Sequence, residues 1–291
     1  MSKIFNALRL NEAVMPETGE FPGRQTAAAK PVRGADGKPH ITTAELPLDE
    51  WTPSLVRLVP VQIADAAALL SPGQSYAAEQ YRIARTKIVQ SIPKPFRLAI
   101  TSPGAGDGKT LTAVNLAVAL GLKNEEPTLL IDADLRRASV HKRLGVAVGP
   151  GVAEVLAGAG RLQDAIFRAA ELPSLHVLPA GSSERNPTEL LDSPCWRDLM
   201  DKLRRDFPQI IVDCPPVDVL ADYDLIAAAC DSSLLVLRPD HTNRALCKAA
   251  AAKLKPKLTG VLINSFEPWF LWRKPAHDDR YYYYGRKGGQ A

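Results

Sequence analysis

Six short apolar runs constrain this chain more than any other feature. They are Arg97 to Thr101 (RLAIT), Pro127 to Asp132 (PTLLID), Leu175 to Gly181 (LHVLPAG), Gln209 to Asp213 (QIIVD), Ser232 to Arg238 (SSLLVLR) and Leu258 to Asn264 (LTGVLIN). They lack the apolar–polar alternation of a strand with one wet face, so each reads as a strand buried on both sides. Helical stretches lie between them: Lys109 to about Leu122, VAEVLAG, RLQDAIFRAA and TELLDSPCWRDLMDKLRRD. Strands of this kind alternating with helices predict an α/β fold, a mostly parallel sheet flanked by helices. In such sheets ligands bind beyond the carboxyl ends of the strands, so the residues just after each strand carry the functional information.

Composition bounds what surrounds this unit. With 46% of 291 residues apolar, a large core is expected and wholesale disorder is excluded. A net charge of +4 does not argue for nucleic acid, and the lysines from Lys248 to Lys257 read as a solvated helix face. Cys195, Cys214, Cys230 and Cys247 are widely spaced, which argues against zinc and against a secreted disulfide framework. MSKIFNALRLNEAV is too short and polar for a signal peptide, and no run of roughly 18 apolar residues predicts a membrane span. A cytoplasmic protein is expected. Residues 1–15 are expected to hold a short helix with Ile4, Phe5 and Leu8 on one stripe. Residues 16–70, rich in Pro, Gly and Ala, are expected to be a flexible linker. The ordered domain is expected over 71–268, starting with the helix AAEQYRIARTKIVQSI, and 269–291 forms a tail.

The first strand runs into SPGAGDGKT, Ser102 to Thr110. Gly104, Gly106 and Gly108 let the backbone turn its N–H groups inward, and a helix opens at Lys109. This is a phosphate-binding loop for ATP: Gly104, Ala105, Gly106, Asp107 and Gly108 line it, and Lys109 reaches the terminal phosphates. The Thr110 hydroxyl is set to hold Mg2+, with Thr112 just beyond. Pro103 stands where the usual pattern has glycine. The second strand ends on LLIDADLR, with Asp132 and Asp134 two residues apart and so on one side of an extended chain. The fourth ends on IIVDCPP, with Asp213 before a strand-stopping proline. A cation bound to phosphates takes one or two carboxylates, which suits Asp213. The spare carboxylate suits a base toward an acceptor hydroxyl, and the residues alone leave open whether Asp132 or Asp134 fills that role. Asn264, after the last strand, is a candidate either for the adenine base or for capping the strand end.

Taken in order, the phosphate loop, LLIDADLRR, IIVDCPP, LPAGSSERNPTELL, GVLIN and the run Tyr281, Tyr282, Tyr283 and Tyr284 resemble the bacterial tyrosine kinases of capsule and exopolysaccharide synthesis. MSKIFNALR resembles the start of the stand-alone members, which lack a fused membrane segment. The resemblance implies a P-loop NTPase architecture of the ParA/MinD-like kind. It also implies Asp132 as base, with Asp134 and Asp213 at the magnesium, and autophosphorylation of the four tail tyrosines. EQYRIAR matches the family's ring-assembly motif at Glu79, Arg82 and Arg85. The implied partners are further copies of the chain, a membrane-embedded chain-length regulator that activates the kinase, and a cognate phosphotyrosine phosphatase; the implied location is the inner face of the membrane. Ala105, Ala138 and Tyr223 depart from the family's usual residues without removing a chemical group. Related partition and cell-division ATPases carry a lysine where this chain has Gly104 and lack such a tyrosine cluster, which favours the kinase; an ATPase switch without tyrosine transfer is the alternative reading, followed by a nucleotide-binding scaffold.

Overall fold

Among the described residues, nine strands form one sheet, in the order β1-β9-β8-β3-β7-β4-β6-β5-β2. The computed structural model describes residues 3–6 (backbone only), 56–61, 76–123, 126–218 and 221–265. The central strands are those the apolar runs predict: β3 (Phe96–Thr101), β4 (Thr128–Asp132), β6 (Leu172–Leu178), β7 (Gln209–Asp213), β8 (Ser232–Leu237) and β9 (Leu258–Ile263). They run parallel to their neighbours among themselves. Helices cover both faces: α1 (Tyr76–Ser91) and α2 (Lys109–Lys123) on one, and α7 (Pro194–Asp206), α8 (Asp222–Ala228) and α9 (Arg244–Leu254) on the other. Short helices α3 (Val140–Arg143), α4 (Val152–Leu156), α5 (Leu162–Ala165) and α6 (Pro187–Asp192) fill the connections.

Alternate residues of each strand feed opposite faces, and both faces are apolar. Leu98 and Ile100 of β3, Leu130 of β4 and Ile211 of β7 pack with Tyr81, Ile88, Leu116 and Leu120 of α1 and α2. Ala99, Leu129, Ile131, Ile210 and Val212 point the other way, to Trp196, Leu199, Leu203 and Phe207. This double burial is why the strands read as unbroken apolar runs.

The sheet edges differ from expectation. Lys3–Asn6 is a strand, β1, parallel to β9, where a helix was expected. The open edge of β9 offers unpaired backbone groups, and a passing extended segment satisfies them. Arg57–Val59, inside the expected linker, is a strand too: β2 pairs in parallel with β5 (Phe167–Ala169). β5 itself replaces the second half of the helix expected over RLQDAIFRAA. Ile166 is extended (φ −81°, ψ 141°), and Phe167 and Ala169 are buried while Arg168 is half-buried, a strand period that lets β5 pair antiparallel with β6. The tail from 269 onward, with Tyr281 to Tyr284, and most of the expected linker lie outside the described residues. No helix among the described residues is long and apolar enough to cross a membrane.

Candidate active site

The carboxyl ends of β3, β7 and β4 lie side by side, with Ile100 paired to Asp213 and Asp213 paired to Asp132. Sheet register therefore brings the phosphate loop, Asp213 and the Asp132–Asp134 segment together. The loop is the β3–α2 turn. Gly106 (φ +85°) and Gly108 (φ +91°) adopt left-handed backbone, and a Cβ on Gly108 would stand 1.9 Å from Asn264 Nδ2.

Lys109 Nζ sits 3.0 Å from Asp134 Oδ2. Burial alone would lower its pKa, but Asp213, Asp134 and Asp132 together raise it, so the ammonium stays charged. Asp134 Oδ1 accepts the Arg137 N–H at 3.1 Å. Asp132 Oδ2 accepts the N–H groups of Ser139 and Val140, both at 3.0 Å, and Oδ1 that of Asp134 at 3.3 Å. Burial still pushes Asp132 up to about 6, against those hydrogen bonds and with the Asp134 charge adding to the rise. Asp213 is fully buried, and neither of its oxygens has a hydrogen-bond partner among the described residues. Burial first, and the Asp132 charge second, push it up to about 8, with Lys109 and the Thr110 hydroxyl opposing. A buried carboxylate without partners, beside a hydroxyl and a second carboxylate, is a donor set suited to a hard divalent cation. The Thr110 and Ser139 hydroxyls share a hydrogen bond of 2.9 Å.

Two of the expected residues are engaged differently. Asn264 is buried and donates from Nδ2 to the Asp107 carbonyl at 3.0 Å, clamping the loop from behind; its Oδ1 has no partner among the described residues. Thr112 is fully buried in α2 beside the Tyr81 hydroxyl. Tyr223, one of the departures, is absorbed into the core, its hydroxyl 2.7 Å from Ser233 Oγ. In α1, Arg82 pairs with Glu79 at 3.1 Å on the surface, whereas Arg85 reaches inward and donates to the Ala119 carbonyl of α2 at 3.2 Å.

Further supports escaped the sequence reading. The Asp107 carboxylate is buried within the loop and accepts from Gly104 N–H at 3.1 Å, from the Thr242 hydroxyl, and at 3.0 Å pairs with His241 Nδ1. Arg238 donates to the Gly106 carbonyl at 3.3 Å, so the β8–α9 connection straps the loop in two places. Arg136 donates to Asp222 and to the Thr188 hydroxyl, each at 2.7 Å, and that hydroxyl donates to Asp222 at 2.6 Å. This triad ties the segment after Asp134 to the N-termini of α6 and α8. Arg136 sits inside the motif LLIDADLRR, but no local signal names its partners.

Fold and loop together define a P-loop NTPase domain, with paired carboxylates beside the phosphate site. The family described as an AAA domain matches residues 97–246. Tyrosine-protein kinase YwqD of Bacillus subtilis is 33% identical over 219 residues, covering 74% of this chain and 89% of that protein. Tyrosine-protein kinase CpsD of Streptococcus pneumoniae serotype 4 is 32% identical over 198 residues, covering 66% and 85%. The crystal structure of the chimerical protein CapA2B2 superposes with a TM-score of 0.65 at 26% identity, covering 72% of this chain and 93% of that one. The chain belongs to the family of bacterial tyrosine-protein kinases.

Proposed function

We propose that this chain is an ATP- and Mg2+-dependent autokinase that phosphorylates Tyr281 to Tyr284 of neighbouring copies and thereby regulates capsular or exopolysaccharide synthesis and export. The observation that carries the reading is the grouping of Lys109, Asp132, Asp134 and the unpartnered Asp213 at the ends of adjacent strands. Gly104, Ala105, Gly106, Asp107 and Gly108 cradle the phosphates with Lys109 and Thr110, and Asn264 is the candidate contact for the adenine. Thr110, Asp134 and Asp213 would hold Mg2+, which when bound neutralises phosphate charge. Among the described residues no three His, Cys, Asp or Glu side chains form a metal cage, so phosphate oxygens and water would complete the coordination. Lys109 leaves Asp134 for the terminal phosphates as the nucleotide enters.

Asp132 is the base in this reading. Its carboxyl is held by two backbone N–H groups and titrates near 6, so it is ionised at neutral pH yet able to take a proton. The bond between the γ-phosphorus and the ADP oxygen breaks, a bond to the tyrosine oxygen forms, and the phenolic proton passes to Asp132. Homo-oligomerisation through Glu79, Arg82 and Arg85, a membrane-embedded activator in trans, a phosphatase that resets the tail, and attachment at the inner membrane face complete the proposal.

Purified chain incubated with γ-labelled ATP and Mg2+, followed by phosphotyrosine mapping, is the test. Label in the tail that Lys109→Ala abolishes is expected. ATP turnover without phosphotyrosine, even with an activator fragment present, would instead support the ATPase switch, and binding without turnover the scaffold.

A further inference from the structure

Just past the second motif the chain turns strongly basic. From Leu135 to Gly149 it carries Arg136, Arg137, His141, Lys142 and Arg143 and no Asp or Glu. Arg136 is taken up by Asp222 and Thr188. His141 is lowered by burial and by Lys142, so it adds little charge at neutral pH. Arg137, Lys142 and Arg143 are exposed, and among the described residues their charged groups form no ion pair.

The position of these three cations is fixed by the catalytic carboxylates. The Arg137 N–H is bonded to Asp134, and the Ser139 and Val140 N–H groups to Asp132. Each of the three side chains thus leaves the backbone within three residues, roughly 10 Å of chain, of an N–H group bonded to one of the two aspartates. The result is an acidic floor with a basic rim beside it. A neutral tyrosine is indifferent to that arrangement. A phosphotyrosine, carrying about −1.5 to −2, is repelled by the floor and attracted to the rim. In the run Tyr281 to Tyr284 the next hydroxyl stands one residue, about 3.5 Å of chain, from a modified one.

We propose that Arg137, Lys142 and Arg143 form a phosphotyrosine subsite that holds an already modified residue of the acceptor while its neighbour occupies the site of transfer. The proposal rests on the kinase reading above. It makes phosphorylation of the four-tyrosine run self-reinforcing: the first transfer creates the handle for the next. The same cations suit two other anions, the phosphates of ATP and an anionic lipid surface, and the experiment separates them.

The full chain with Tyr281 to Tyr284 all changed to Phe would be assayed on added peptides of residues 278–291. One peptide is unmodified; the other carries phosphotyrosine at position 284. The enzyme is expected to favour the phosphorylated peptide by about tenfold in kcat/KM, less at high salt. Adding Arg137→Ser, Lys142→Ser and Arg143→Ser should abolish that preference, while the rate on unmodified peptide and the KM for ATP stay within about twofold. Arg137→Lys with Arg143→Lys, which keeps the charge, should restore it. Equal rates on both peptides for the parent enzyme, or equal loss on both in the variant, would overturn the subsite. A raised KM for ATP with the preference intact would assign the rim to the nucleotide. Lost binding to phosphatidylserine vesicles with the preference intact would assign it to a membrane. ATP hydrolysis with neither peptide labelled by the parent enzyme would remove the kinase reading, and this proposal with it.

Discussion

Asp213 is held where its charge is least tolerated, fully buried and beside Asp132. Its folded pKa of about 8 lies above the ordinary 3.8, so between those values the folded chain binds more protons than the unfolded one. Stability contributed by the protonated form is therefore full below about pH 4 and is lost as pH rises toward 8. Asp213→Asn keeps the shape and removes the charge. Without cation or nucleotide, the variant is expected to exceed the parent by several kcal/mol at pH 8 and by less at pH 5. Urea unfolding across that range measures it, and a difference that does not change with pH would refute the assignment. With Mg2+ and ATP the order should reverse if Asp213 holds the cation as proposed, because the variant would then lack a ligand charge. Asp213 was legible in the sequence because strand, carboxylate and stopping proline are contiguous. The partners of Asp107 were not: His241 and Thr242 lie 134 and 135 residues away, and only the sheet order brings them over the loop.

Among the elements, length and burial decided what could be read. The central strands are apolar on both faces, and no competing structure satisfies such a run as well. β1, β2 and β5 have four, three and three residues, and an available edge chooses their conformation more than intrinsic preference does. The connection from Asp132 to α3 is also governed from a distance. Its Arg136 is held by Asp222, buried at the start of α8, 86 residues on. Asp222→Ala strands that guanidinium and the Thr188 hydroxyl. A loss of about 1–2 kcal/mol is expected, below the cost of a fully buried pair because Arg136 is partly exposed. The segment carrying Asp134 loosens with it, so kcat should fall more than the KM for ATP rises. Asp222→Asn, which retains an acceptor, should lie between. Denaturation and steady-state kinetics on the same samples check both effects, and unchanged stability would show the triad to be incidental.

For the whole molecule, the open question is how copies meet, and α1 divides the expected assembly residues into two kinds. Glu79 and Arg82 face outward as an exposed pair, near the exposed apolar side chains of Ile83 and Val89. Arg85 instead spends a hydrogen bond on the Ala119 carbonyl, tying α1 to α2 within one copy, and burial lowers its pKa. On the proposed assembly role one motif would serve two scales, and substitution should separate them. Glu79→Ala with Arg82→Ala removes a surface pair worth at most about 1 kcal/mol to the fold. Thermal stability of the isolated chain should barely move, while any assembly seen by light scattering should shrink and tail phosphorylation in trans should fall. Arg85→Ala removes the hydrogen bond that ties α1 to α2 and should lower unfolding stability by about 1 kcal/mol even in dilute solution, where copies are apart. If Arg85→Ala dissolves the assembly at unchanged monomer stability, Arg85 faces a neighbour when copies associate and the α1–α2 hydrogen bond gives way. If both variants act only on monomer stability, α1 is a structural helix, and trans-phosphorylation must rely on a different surface to bring one copy's tail to another's carboxylates.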